Sequence, residues 1–397
     1  MSRVHFLTLL FGTKIFLDFF VPIREVGYVA LTALSVCTLL LVKYDFRIRP
    51  SAALAVAAYA GLCIFWYTQS GTISDFVKFI SLPLVYFATR IACSGVSIER
   101  IGKASSRILS ILCACFLGNY FASLIVASPI ERSFFAFEHA NILGSYILFA
   151  AALILVASMS QSSIRGLRAS NVAMAALSTS TGAAILSVFS ALPIRRLRMR
   201  SIAGAFILVV AGTALSTLIL KTSFEGLYTK IYGPFLLLWN EGLDPIITLA
   251  RSGAPIQELG DQYQSSLTWR FYAYVVYFDF LARMPMTQLL FGSGFEGYFD
   301  AWNGMMPHND YILTVVNFGL VPFALGIVAL ARLYSRMKRM GVAWRLFAFA
   351  IGARLMLENN ISSFYLLSFG LMCLAMLHSV LSHNSHKEGL NASAPYN

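Results

Sequence analysis

Apolar runs long enough to cross a membrane recur along almost the whole of this 397-residue chain. A helix needs about 20 apolar residues to traverse the hydrocarbon core of a bilayer. Such runs lie near 4–21, 26–43, 51–67, 73–92, 105–127 and 139–158, and again near 201–220, 308–332, 343–358 and 363–381. Composition excludes the soluble alternative: 58% of residues are hydrophobic and 12% charged, where soluble domains carry about 25% charged residues. Length alone would allow two or three soluble domains. One all-α polytopic transmembrane bundle over 1–397 accounts for the chain better.

The net charge of +12 would point to nucleic acid in a soluble protein. Here the positions of the charges argue against that. Lys and Arg gather in Lys43–Arg49, Arg90–Arg107, Arg165–Arg168, Arg195–Arg200 and Arg332–Arg345, with Arg3 and Lys387 near the ends. Lys14, Lys78 and Arg354 fall inside spans. Basic loops stay on the cytoplasmic side, and that rule also decides the stretch 169–194. Arginines flank it on both sides, so a single crossing would export one cluster. Its centre, Ser178-Thr179-Ser180-Thr181-Gly182, suits a turn or a cavity lining. Two short or bent helices meeting there are expected, a break tolerated at membrane depth only where it lines protein or water. The total is then twelve helices with both termini cytoplasmic.

Two further signals are weaker. The N-terminal run holds Lys14 and Asp18, and no A-x-A-like site follows, so a first span that stays attached is expected. The six cysteines lie in or beside apolar runs without a C-x-x-C pair. They read as small hydrophobes, not as a zinc site or a disulfide framework.

One long extracytoplasmic loop is expected over 221–307. It carries Tyr228, Tyr232, Trp239, Trp269, Tyr272, Tyr274, Tyr277 and Trp302, amphipathic rings suited to a membrane interface. Ser266 to Met284 reads as a helix that Pro285 stops or kinks. Gly292-Ser293-Gly294 then turns the chain toward Pro307.

The chemistry-bearing residues cluster around this loop. His308-Asn309 opens the span at 308–332 from its outer end. A helix N-terminus presents unpaired N–H groups and partial positive charge, which favours a neutral imidazole fit to act as general base and also allows an anion to bind. The plainer reading is that His308 and Asn309 only cap the helix. Arg270 could grip a diphosphate in fork geometry, or rest beside lipid headgroups. Arg251 and Arg283 are weaker candidates of the same kind. Glu138-His139-Ala140-Asn141 begins another helix on the same side, as a site or as a polar cap. Arg354 and Glu358 lie four apart, and Asp75 and Lys78 three apart, so each couple could pair on one helix face.

Taken together, these pieces resemble the O-antigen ligase/polymerase superfamily. The resemblance rests on Phe291-Gly292-Ser293-Gly294-Phe295, then His308-Asn309-x-Tyr311-x-Leu313, then Gly319. It is supported by Arg270 upstream, by His139-x-Asn141, by the turn at 178–182 and by Glu358-Asn359. It covers about 130 to 380; the earlier residues match only as generic spans. Thr181 stands where the family often has an arginine, so no role for an arginine there carries over; Arg251, Arg283 or Lys221 remain as substitutes.

The resemblance implies a glycosyltransferase on the periplasmic face of the bacterial inner membrane. It would use a glycan on undecaprenyl diphosphate as donor and a second lipid-linked repeat unit as acceptor, with no cofactor and no metal. His308 and Arg270 would be catalytic. Asn309, Arg251, Arg283, His139, Asn141 and Arg354 would contact substrate. Expected partners are the lipid-linked glycan, membrane lipid and other polysaccharide-assembly proteins, and not nucleic acid. The chain carries only six histidines and no H-E-x-x-H motif, in keeping with metal-independent chemistry. Three rivals stay open: a ligase transferring finished glycan to lipid A core, a transporter or flippase, and a nonenzymatic assembly subunit.

Overall fold

The computed structural model describes residues 2–21, 24–41, 50–126, 140–160, 165–178, 183, 186–187, 239–259, 266–302, 305–358, 360 and 363–392. Among these, regular structure is helical and no strand occurs. Five helices are long and apolar enough to cross a membrane: Ile73–Cys93, Ile98–Ala122, Asn141–Ser158, Leu320–Met340 and Leu366–His383. The chain divides into two compact units, one of Met1–Pro193 with Leu325–Asn397 and one of Ile194–Ala324.

The first unit holds α1 (Arg3–Phe20), α2 (Arg24–Leu41), α3 (Pro50–Gln69), α4 (Ile73–Cys93), α5 (Ile98–Val126), α6 (Ala140–Ser158) and α7 (Arg165–Leu177). A capping box starts α4: the Thr72 side chain accepts from the Asp75 N–H while the Asp75 carboxylate accepts from the Thr72 N–H. Helices α1, α4, α5 and α6 surround one core with the later α15 (Phe364–Ala392). Its centre is aromatic. Phe369 stacks on Tyr146 at 3.9 Å and meets Phe11 edge-on at 6.0 Å. Lys14 and Asp18, one turn apart on α1, form an ion pair buried in that core, with Tyr146 beside Asp18. At Gly102 an added Cβ would come within 2.5 Å of the Ser160 Cβ, so only glycine lets α5 approach the end of α6.

Basic residues collect at one end of this unit. Arg3, at the start of α1, donates to Ser94 Oγ at the end of α4 (3.1 Å). That same end carries Arg90 and, after the turn into α5, Arg100, Lys103 and Arg107. Helix α7 ends at Leu177, where the Ser178 hydroxyl turns back to the Ala175 carbonyl (2.7 Å). Thirteen residues span only about 20 Å, in keeping with the expected short helix. The rest of that turn, 179–182, lies outside the described residues, as do His139, Lys221 and Asn359.

The second unit carries α8 (Asp244–Ser252), a 3-10 turn (Ile256–Leu259), α9 (Ser266–Arg283), α10 (Met286–Phe291), α11 (Tyr298–Trp302) and α12 (Asp310–Phe318). Helix α8 packs on α9 through Ile246, Ala250 and Tyr272. Another part of α9 buries Tyr277 against Ile312 and Val316 of α12. Helix α9 matches the expected segment, and Pro285 starts α10.

The single span expected over 308–332 is not continuous. Helix α12 has nine residues, too few to cross a bilayer, and ends at Gly319 with φ +87. A new helix, α13 (Leu320–Met337), follows at once. The cause is a close crossing of two glycines. A Cβ on Gly319 would lie 2.5 Å from the Gly292 nitrogen, and one on Gly292 would lie 2.2 Å from the Asn317 oxygen. Ser293 and Gly294 N–H groups then donate to the Val316 and Asn317 carbonyls at 3.0 Å. These bonds satisfy carbonyls at the end of α12 that the broken helix leaves unpaired. After α13, which runs into the first unit, come a 3-10 turn (Lys338–Met340), α14 (Val342–Leu357) and α15.

Candidate functional site

Helix α12 begins with a division of labour between neighbours. Asn309 is the N-cap: its side-chain oxygen accepts from the N–H groups of Tyr311 (2.9 Å) and Ile312 (3.2 Å). Capping therefore falls to Asn309, which is buried. His308 takes a different part. Its φ of +48 is the only positive value at a non-glycine among the described residues, a left-handed conformation that costs an L-residue energy and recurs at functional sites. Its ring meets Trp269 edge to face, centroids 4.8 Å apart. A helix N-terminus thus lies one residue beyond the imidazole, and the indole defines one side of it.

Trp269 sits in the first turn of α9 and is followed directly by Arg270. The contact therefore brings His308 to the turn that bears Arg270, and both side chains are half-buried. The aromatic row continues: Trp269 lies 5.3 Å from Trp302, and Trp302 lies 5.3 Å from Tyr272. Tyr272 is fixed by donating to the Ala254 carbonyl (2.8 Å). Tyr277 donates to the Met305 carbonyl just before Pro307. Burial pushes both phenols above their ordinary range, so they serve here as neutral donors. The Trp269, Trp302 and Tyr272 rings thus form a flat surface next to the His308 imidazole, and Arg270 is the next residue along α9.

The other expected residues fall elsewhere. Arg251 and Arg283 share Asp279, at 3.4 Å and 3.9 Å. Arg283 is thirteen residues along α9 from Arg270, about 20 Å at the helical rise. These two arginines are thus held together, away from the Trp269–His308 contact. In the first unit, Arg354 is buried and ties α14 to the start of α6. Its Nε donates to Ser145 Oγ (2.6 Å) and its Nη2 to the Asn141 carbonyl (2.7 Å). It also pairs with Glu358 at 3.9 Å, and Lys78 pairs with Asp75 at 2.8 Å. Arg354 and Asn141 are therefore brought together, by a hydrogen bond between them.

Two residues of the region were not singled out from sequence as site residues. Trp269 was read only as an interfacial ring, although its position next to Arg270 was a signal. Asp310, 1% exposed in the first turn of α12, lies within the His308-Asn309-x-Tyr311 element itself. Comparison of the chain with family models, with curated proteins and with solved structures finds no match.

Proposed function

We propose that the chain is a membrane glycosyltransferase that polymerises undecaprenyl-diphosphate-linked oligosaccharide repeat units into exopolysaccharide or O-antigen. The observation that most supports this is the edge contact of His308 with Trp269, which joins the histidine of the resemblance to the turn bearing its arginine. In this reading twelve helices form the membrane domain, both termini are cytoplasmic and the 221–307 loop is periplasmic. The gathering of Arg3, Arg90, Arg100, Lys103 and Arg107 at one end of the first unit supports that orientation through the positive-inside rule.

The chemistry follows from the groups. His308 accepts the proton of an acceptor hydroxyl as that oxygen bonds to the anomeric carbon of the donor glycan. The bond from that carbon to the diphosphate breaks, and its electron pair leaves on undecaprenyl diphosphate. Arg270 stabilises the negative charge that develops there. A diphosphate is already a good leaving group, so no separate acid is required. The Trp269, Trp302 and Tyr272 rings supply flat surfaces against which sugar rings pack.

The test is turnover of a lipid-linked repeat unit by purified protein in vesicles. His308→Ala should lower polymer output by about a hundredfold or more with membrane insertion unchanged, and Arg270→Ala should impair donor use. Full polymer output from His308→Ala would remove the base assignment. Adding a lipid A core acceptor to the same assay separates polymerase from ligase.

A further inference from the structure

A second polar cluster lies in the first unit and uses none of the candidate catalytic or substrate-binding residues above. Tyr86 and Arg90 are one turn apart on α4, His378 lies on α15, and Arg336 stands near the end of α13. Tyr86 Oη and His378 Nδ1 are 2.6 Å apart, and Arg336 Nη1 is 3.0 Å from His378 Nε2. A guanidinium only donates, so Nε2 is the acceptor and the ring proton sits on Nδ1. That proton goes to the Tyr86 oxygen, and the Tyr86 O–H then points its own hydrogen onward. Arg90 acts electrostatically on both His378 and Tyr86. Its Nη1 is enclosed, and no described group hydrogen-bonds to it. Among the described residues, no carboxylate pairs with Arg90 or Arg336.

The cluster therefore holds two guanidinium groups and a phenol donor, with no negative charge to balance them. Phosphate oxygens match that surplus, because arginine forks bind them at two points. The surroundings decide which phosphate. Ile327, Val328, Leu330 and Tyr334 on α13 are exposed along the two turns and more before Arg336. They spread around the helix instead of lining one face, an all-round apolar surface for which a free phosphate has no use, whereas acyl chains do. Basic pockets between membrane helices are recurrent sites for lipid headgroups.

We propose that Arg90, Arg336 and Tyr86 form a binding site for the headgroup phosphate of an anionic phospholipid, with its acyl chains along α13 and His378 holding Tyr86 and Arg336 in register.

The full-length protein, purified in detergent, would be titrated with phosphatidylglycerol, phosphatidylcholine and inorganic phosphate, reading bound lipid by native mass spectrometry and melting temperature in parallel. Phosphatidylglycerol should bind and raise the melting temperature by several degrees. The Arg90→Gln/Arg336→Gln variant should weaken its binding at least tenfold. Lys338→Gln, which removes one exposed positive charge nearby, should not. Tyr86→Phe, which keeps the ring and both arginines, should weaken binding severalfold and guards against a double variant that fails to fold. Equal binding of phosphatidylcholine, or equal protection by inorganic phosphate, overturns the lipid assignment. Undiminished phosphatidylglycerol binding by both the double variant and Tyr86→Phe overturns the site.

Discussion

His308 and Trp269 meet edge to face with their ring planes at 83°, a contact between residues far apart in the chain. The positive edge of one ring faces the electron-rich face of the other, an arrangement worth about 0.5–1.5 kcal/mol beyond simple burial. It restrains the imidazole beside the turn that carries Arg270.

Trp269→Leu should therefore disturb chemistry more than stability. On the proposed mechanism, a base displaced by about 1 Å loses on the order of a hundredfold in rate, so turnover should fall between about tenfold and a hundredfold. Trp269→Phe, which keeps an aromatic partner, should recover most of it. The readout is polymer formed per minute alongside a melting curve. Equal turnover by the Leu variant and the parent would detach Trp269 from His308 positioning.

Gly319 and Gly292 should tolerate no side chain. Both have φ +87, and an added Cβ would strike the other's loop within 2.2–2.5 Å. Strain and overpacking combine at these positions. Gly319→Ala should lower stability by about 2–4 kcal/mol, read as a fall in melting temperature in detergent. Gly326→Ala is the control, because nothing lies within 4 Å of its added Cβ.

Removing either member of the buried Lys14–Asp18 pair leaves the other charge unbalanced in an apolar core. Lys14→Met or Asp18→Leu alone should cost about 3–5 kcal/mol, while the double replacement should recover most of that loss. Folded yield from membranes and thermal melting measure it. A double variant as damaged as the singles would mean that the pair is needed for more than mutual neutralisation.

Arg354 should matter through α6. Arg354→Gln breaks its bonds to Ser145 and the Asn141 carbonyl and should destabilise by about 2–3 kcal/mol. Ser145→Ala should cost about 1 kcal/mol. In a double-mutant cycle the two should couple. Strictly additive effects would show that the 2.6 Å contact carries no weight.

Arg251 and Arg283 share one carboxylate and are largely exposed, at 64% and 82%. Each variant to Ala leaves Asp279 its other partner, so each should change turnover by less than about threefold, far less than Arg270→Ala, since exposed pairs contribute little. A large rise in donor KM from either would instead mark it as the substitute for the arginine absent at Thr181.

Legibility differed by element for physical reasons. Helix α9 was readable because Ser266 to Arg283 carries no helix breaker and Pro285 ends it. The Arg354–Glu358 and Asp75–Lys78 pairs were readable because i,i+3 and i,i+4 spacings fix neighbours on a helix. The run at 308–332 reads from sequence as one span, but the structure breaks it at Gly319. Its apolar residues continue across Gly319, and hydropathy carries no record of a φ. Only the approach of Gly292 across space requires the break.

The sequence alone determined that this chain is helical and suited to a membrane, because that follows from the length and apolarity of segments whose backbone must satisfy itself. It also singled out His308 and Arg270 as candidates for the proposed chemistry. The tertiary structure decided which of the marked residues meet. It put Trp269 against His308, gathered Arg251 and Arg283 on Asp279, and drew Tyr86, Arg90, Arg336 and His378 from three helices into one cluster. Contacts between distant residues depend on how helices pack, and no local pattern of side chains encodes that packing.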